Sequence, residues 1–477
     1  MFSRPHSRPL PRPDAVWPLV AVFTAGYLAA YLLPTVVGRL DDSLGLTPSQ
    51  AGLVGSTLLL CSATAGFALA SRVERYGALH LARLGLLLAM AGYGSAALTS
   101  WVPLVVAGAA LGGFGSGTAT AVAASGIAAQ RDPHRASALG LLAVSATAGA
   151  LYLTMPRLSS GHGLPFAAIA VVAALVWPAA GRLPGPYRGG PAATARGRLP
   201  YRRSGLVLAG AMLCWSMAQN ALWGVSGRIG LQQAGLSEVA LGAVFAVALG
   251  AGLVGVTGAG VLGARLGRAV PIGVGTAVIA CCVAVSSSAD GLVSFAAGEI
   301  LWNAFYPVVL SYLIGLAASL DPRGRWAVLV GSASSLGVAC GPVTGSLLSE
   351  LAGFPVMGLV LGAALLLVAA PMTAVALHTA GRPLVPGSVR RRGGAPAAVV
   401  AAATGAASGA VPRVGAPELE VMEIAVARRP LRLVLSRPLG RPPAGHRPAA
   451  RPSRQPAGRA TRRSAGQPKS YASTSAR

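Results

Sequence analysis

Glu299 is the only acidic residue well inside an apolar run of this chain. Asn303 follows at i+4 and Tyr306 at i+7, so a helix sets all three on one face, with Trp302 and Pro307 beside them. Glu299 stands eight residues beyond Gly291, about 12 Å along an ideal helix axis. A carboxyl group in such a setting can bind a proton, bind a cation or touch a solute directly. The plainer alternative is an acceptor tied to nearby backbone or to Asn303. Two further stripes share this character: Trp215, Gln219 and Trp223 with Asn220 beside them, and Thr24, Tyr27 and Tyr31. Such faces suit a solute that is part apolar and part hydrogen-bonding, although rings of this kind also serve as packing or interfacial anchors.

Other chemistries lack their residues. Cys61, Cys214, Cys281, Cys282 and Cys340 all fall inside apolar runs without histidine at ligand spacing, and read as small packing residues. There is no paired acid and base, no nucleophile beside a base and no metal-ligand cluster in the apolar runs, so no enzyme, cofactor or metal is expected.

Elements that hold an acid and amides among apolar residues must themselves satisfy every backbone group. Hydrophobic residues make up 53% of the 477 and charged residues 11%, against about 25% charged in soluble domains. Runs such as 16–38, 53–70, 102–127 and 204–227 carry no charged side chain, and about 20 apolar residues match the hydrocarbon core of a bilayer. The chain therefore reads as an all-α polytopic membrane protein. Twelve transmembrane helices are expected over 16–38, 49–71, 80–99, 102–127, 136–156, 164–182, 204–227, 238–263, 269–288, 292–318, 326–348 and 355–378. Glycines within these runs, as in 108–117 and 242–263, suit close helix contact in lipid.

Arginine sets the expected orientation. With the N-terminus cytoplasmic, inner segments of the body carry 18 arginines and outer segments only Arg39, Arg157 and Arg228, which places both termini inside. The expected organisation is a cytoplasmic tail over 1–15, a six-helix half over 16–182, a cytoplasmic linker over 183–203, a second half over 204–378 and a basic tail over 379–477. Residues 382–477 hold 18 Arg or Lys against 3 Glu. That tail is expected to be disordered and drawn to anionic lipid rather than to a specific nucleic acid.

The two halves echo each other. Asp132-Pro133 recurs as Asp321-Pro322, Arg135 as Arg325 and Ser145 as Ser335, at spacings of 189 or 190. A membrane unit used twice is the signature of a secondary transporter with its site between the halves.

Residues 14–380 resemble the major facilitator superfamily of secondary transporters. Its signature loop between the second and third helices stands here as Ala70-Ser-Arg-Val-Glu74-Arg75-Tyr-Gly77, and again as Gly260-Val-Leu-Gly-Ala264-Arg265-Leu-Gly267 without the acid. The resemblance implies a cytoplasmic gate formed by Glu74, Arg75, Gly77, Arg265 and Gly267. A Gly-Pro motif known from family antiporters in helix five appears here in helix eleven, at Gly337, Gly341, Pro342 and Gly345. On that helix it implies a hinge or packing seam and does not mark export. The resemblance also implies a central cavity lined by helices one, four, seven and ten, with Glu299, Asn303, Tyr306, Gln219, Asn220, Trp215, Tyr27 and Tyr31 binding substrate or protons. Arg39 and Arg228 would be gate or snorkelling residues. The expected protein is a monomeric, proton-coupled exporter of a small organic solute in the plasma membrane, working by alternating access. Nutrient uptake by the same fold is the alternative, and a non-transporting sensor acting through its tail is a more distant one.

Overall fold

A computed structural model describes residues 16–70, 72–130, 132–158, 161–183, 199–262, 267–321 and 324–380. Residues 1–15, most of the expected linker and nearly all of the basic tail lie outside them. Among the described residues there are helices and short connections but no strand. The helices are α1 (Val16–Tyr31), α2 (Leu33–Leu44), α3 (Pro48–Ala70), α4 (Val73–Tyr76), α5 (Ala78–Leu98), α6 (Val102–Ala128), α7 (Pro133–Thr154), α8 (Gly163–Ala180), α9 (Arg202–Arg228), α10 (Glu238–Leu262), α11 (Ala269–Ser287), α12 (Leu292–Ser319) and α13 (Arg325–Ala380).

Ten of these are long and apolar enough to cross a membrane, or eleven if the bent pair α1–α2 is one span. Leu175, Val254 and Leu367 are 73%, 69% and 74% exposed, an outer surface fit for lipid rather than water. Helix α13 has 56 residues, about 84 Å at the helical rise against about 30 Å of hydrocarbon. It is interrupted at Gly353, whose φ of 78° and ψ of 165° are not helical. The break falls in the gap between the expected segments 326–348 and 355–378.

The first expected segment, 16–38, is not one straight helix. It bends by 46° between α1 and α2, and α2 runs on to Leu44. Pro34 is the cause, because it has no N–H to give Ala30 and its ring crowds that carbonyl. The Thr35 and Val36 amides both turn to the Leu32 carbonyl, at 3.1 and 3.0 Å. The freed carbonyls find side-chain donors: Trp223 Nε1 donates to Ala30 O at 3.1 Å, and the Tyr152 hydroxyl to Tyr31 O at 2.6 Å. Helix α3 opens on a reciprocal cap, with Gln50 N donating to Thr47 Oγ1 and Thr47 N to Gln50 Oε1.

Residues 16–183 and 199–380 meet through α3 on α13, α7 on α10 and α2 on α9. The first two contacts are copies. A methyl placed on Gly52 of α3 would strike Pro342 and Ser346 of α13, and one on Gly242 of α10 would strike Tyr152 of α7 and touch Pro156 just beyond that helix. Each residue of the second contact stands 190 positions from its counterpart in the first. Backbone shape repeats as well. Gly45 and Gly235 have φ of 62° and 63°, and Gly77 and Gly267 have 84° and 67°. Side chains disfavour that region, which explains why glycine stands in both copies of the signature loop.

Candidate functional site

Glu299 is fully buried in α12. Its Oε1 accepts hydrogen bonds from Ser226 Oγ of α9 (2.8 Å) and Ser286 Oγ of α11 (2.7 Å). Its Oε2 has no partner among the described residues. Helix α11 comes this close because Gly298 has no side chain, and a methyl there would lie 2.8 Å from Ser286 Cβ. Two hydroxyls fix one carboxylate oxygen and leave the other for a proton or a cation. Asn303 does not join them; its amide donates to the Glu299 backbone carbonyl at 3.0 Å. Ser226 and Ser286 escaped sequence reasoning because they lie on two other helices, where no local spacing links them to the acid.

The expected aromatic residues converge. Trp215 stacks on Tyr306 with ring centroids 5.3 Å apart, and Trp302 packs against Tyr306 (5.9 Å) and Trp223 (5.6 Å). Phe245 joins Trp223 to Tyr152, and Tyr27 packs on Tyr31 at 5.4 Å. Both α1 tyrosines lie within electrostatic reach of a third, Tyr306. Gln219 is fully buried, and the Trp302 indole N–H donates to its Oε1. Asn220 instead donates to Ser216 O at 2.9 Å and lies against Gly341.

That last contact belongs to a seam. Methyls on Gly337, Gly341 and Gly345 would run into α9 at Leu213, Asn220 and Ala221. Pro342 faces Gly224 of α9 and Gly55 of α3, and the next amide, Val343 N, donates out of its helix to Ser56 Oγ of α3 at 3.0 Å. On α6, Gly113 and Gly117 face Leu58 and Ser62 of α3, so the small residues of this helix serve helix contact.

Charged ties between the two sets gather at one end. Arg39 Nη2 meets Glu238 Oε2 at 2.7 Å, and Arg228 Nη1 stands 3.8 Å from Asp41 Oδ2. Arg228 also donates to Ser349 Oγ at 2.7 Å. Glu350 accepts the Ser49 amide in the first turn of α3 at 2.9 Å, where a carboxylate suits the helix dipole. A small cavity opens between these ties and the aromatic layer, lined by Thr35, Arg39, Tyr152, Glu238 and Phe245 among others. Of the expected gate at the opposite end, Arg75 lies over the Tyr76 ring at 5.8 Å, and Gly77 and Gly267 form the turns described above. The Glu74 side chain and Arg265 lie outside the described residues.

The family model of the Major Facilitator Superfamily matches residues 19–324. The chain belongs to the major facilitator superfamily. It is a multi-pass membrane transporter rather than an enzyme. Among solved structures, it is similar to the human organic anion transporter MFSD10 (TETRAN), at 16% identity and a TM-score of 0.56. That likeness covers 76% of this chain and 100% of the other, and it concerns the fold alone. No curated protein sequence matches the chain significantly.

Proposed function

We propose that this superfamily member is a proton-coupled exporter of a small organic solute in the plasma membrane, with twelve crossings in two six-helix halves. The observation that carries the coupling is Glu299, buried, held at one oxygen by two serines and free at the other. It takes up a proton in one state of access and gives it up in the other. The duplicate Gly52 and Gly242 contacts and the paired left-handed glycines support the two-half layout. Gly353, dividing α13, supports the twelfth crossing. Counting arginines puts the Arg39 end outside, so the ties there belong to a state closed to the exterior. Glu74 and Arg75 act at the cytoplasmic end, where loss of their contacts accompanies opening.

The test uses purified protein in proteoliposomes under an imposed pH gradient, with uptake of candidate solutes by inverted vesicles as the readout. Glu299→Gln keeps the shape and an acceptor for both serines, so the protein folds and still binds solute. Accumulation driven by the gradient is expected to fall at least about tenfold, as when a proton-transfer group is removed. Gradient-driven transport unchanged by Glu299→Gln would sink the coupling role. The direction of accumulation decides between export and uptake.

A further inference from the structure

Two indole and amide donors on α9 stand without acceptors. Trp215 and Gln219 are both fully buried, and neither Trp215 Nε1 nor Gln219 Nε2 has a partner among the described residues. The assignment of the Gln219 amide is chemically fixed. Indole N–H only donates, so the atom it meets is the oxygen and the NH2 group is left over. The two residues are one helical turn apart, on the face that carries the stacked rings of Trp215 and Tyr306. Buried donors without acceptors carry a desolvation penalty that an incoming acceptor removes.

We infer that the Trp215–Gln219 face binds a neutral, planar aromatic solute through an acceptor oxygen, such as a carbonyl. The inference rests on the transporter reading above and names its substrate class. The rings offer a flat solute an aromatic surface, and the two unpartnered N–H groups are donors for its oxygen. An anion would also offer acceptors. However, α1, α6 and α12 contain no basic residue, and α9 has none between Arg203 and Arg228. Arg39 and Arg228 are engaged with Glu238 and Asp41, so an anion would bury an unpaired charge beside Glu299. An organic cation gains from the rings but leaves both donors unanswered. The neutral acceptor alone meets every group on this face.

Equilibrium dialysis of the purified full-length protein against matched probes tests this. Coumarin and flavone are neutral and carry a carbonyl; naphthalene and 2-phenylnaphthalene have similar shape without one. Tetraphenylphosphonium and naphthalene-1-sulfonate supply the cation and the anion. The carbonyl compounds should bind about fivefold or more tightly than their hydrocarbon partners, the worth of one or two net hydrogen bonds. Trp215→Phe, which keeps the stacked ring, and Gln219→Met, which keeps the length, should each erase most of that preference while the folded protein still binds the hydrocarbon probes. Each is expected to lower the melting temperature, because Trp215 is buried and Gln219 accepts from Trp302. The inference is overturned if neither carbonyl compound binds, if hydrocarbons bind equally well, if either charged probe binds tighter, or if both variants keep the preference. Because no gradient is involved, the outcomes separate. Carbonyl-selective binding without transport removes the transporter reading and leaves the site, whereas proton-driven transport without that selectivity does the reverse.

Discussion

A carboxyl group that takes two hydroxyl hydrogen bonds on one oxygen is held by those hydroxyls against the cost of its own burial. Ser286→Ala removes one of the two donors to Glu299 Oε1 and is expected to destabilise the protein by about 1–3 kcal/mol, since the acceptor is buried. In a Glu299→Gln background the same change should cost less, because a neutral amide oxygen loses less than a carboxylate. Thermal unfolding of the four proteins gives the coupling directly, and equal costs in both backgrounds would show that Ser286 does not act on the acid. Sequence made Glu299 visible because one acid among apolar residues stands out. Its partners were invisible, since serine is ordinary in membrane helices and Ser226 and Ser286 are 60 residues apart in the chain. Asn220 and Asn303 show the opposite failing. Their spacing was right, yet each amide closes on its own helix at i−4, an option that periodicity does not register.

Helices of this chain were legible where apolar runs were long, and their breaks were legible only in part. The gap before residue 355 was visible from the exhausted length of the run, and Gly353 supplies it. The bend at Leu32 was missed because Pro34 sits inside an uninterrupted apolar stretch, and its effect depends on Trp223 and Tyr152 supplying donors from distant helices. The glycine seam of α13 is a packing element with a sharp tolerance. A methyl on Gly341 would lie 2.5 Å from Asn220 Cβ and 2.7 Å from its carbonyl carbon, both part of a rigid neighbour. Gly341→Ala is therefore expected to cost about 1–3 kcal/mol as overpacking, read as a lower melting temperature in detergent. Gly250→Ala, where nothing lies within 4 Å of the added methyl, is the control and should be nearly neutral.

Across the whole molecule, the proposed alternating access gives the ion pairs at the Arg39 end a bearing on the balance between states more than on folding. The Arg39 side chain is 8% exposed and that of Glu238 37%, and a pair so partly exposed is worth about 0.2–1 kcal/mol. Glu238→Arg should favour opening at that end by up to about fivefold. The measurement is labelling of a cysteine at Thr35, beside the small cavity, by an impermeant maleimide in intact cells. Restoring the pair in reverse with Arg39→Glu should bring labelling back down. No single segment could reveal these partners, because each joins residues about 190 apart whose meeting depends on how two bundles lean together. The duplicate glycine contacts bear on that lean. Gly52 against Pro342 and Gly242 against Tyr152 act as two bearings on one axle. On the alternating-access reading proposed above, turning about the line through both would let one end close while the other opens, and neither bearing would have to be unpacked. With one bearing alone the bundles could also slide, and the proposed coupling acid would lose its fixed relation to the end that opens.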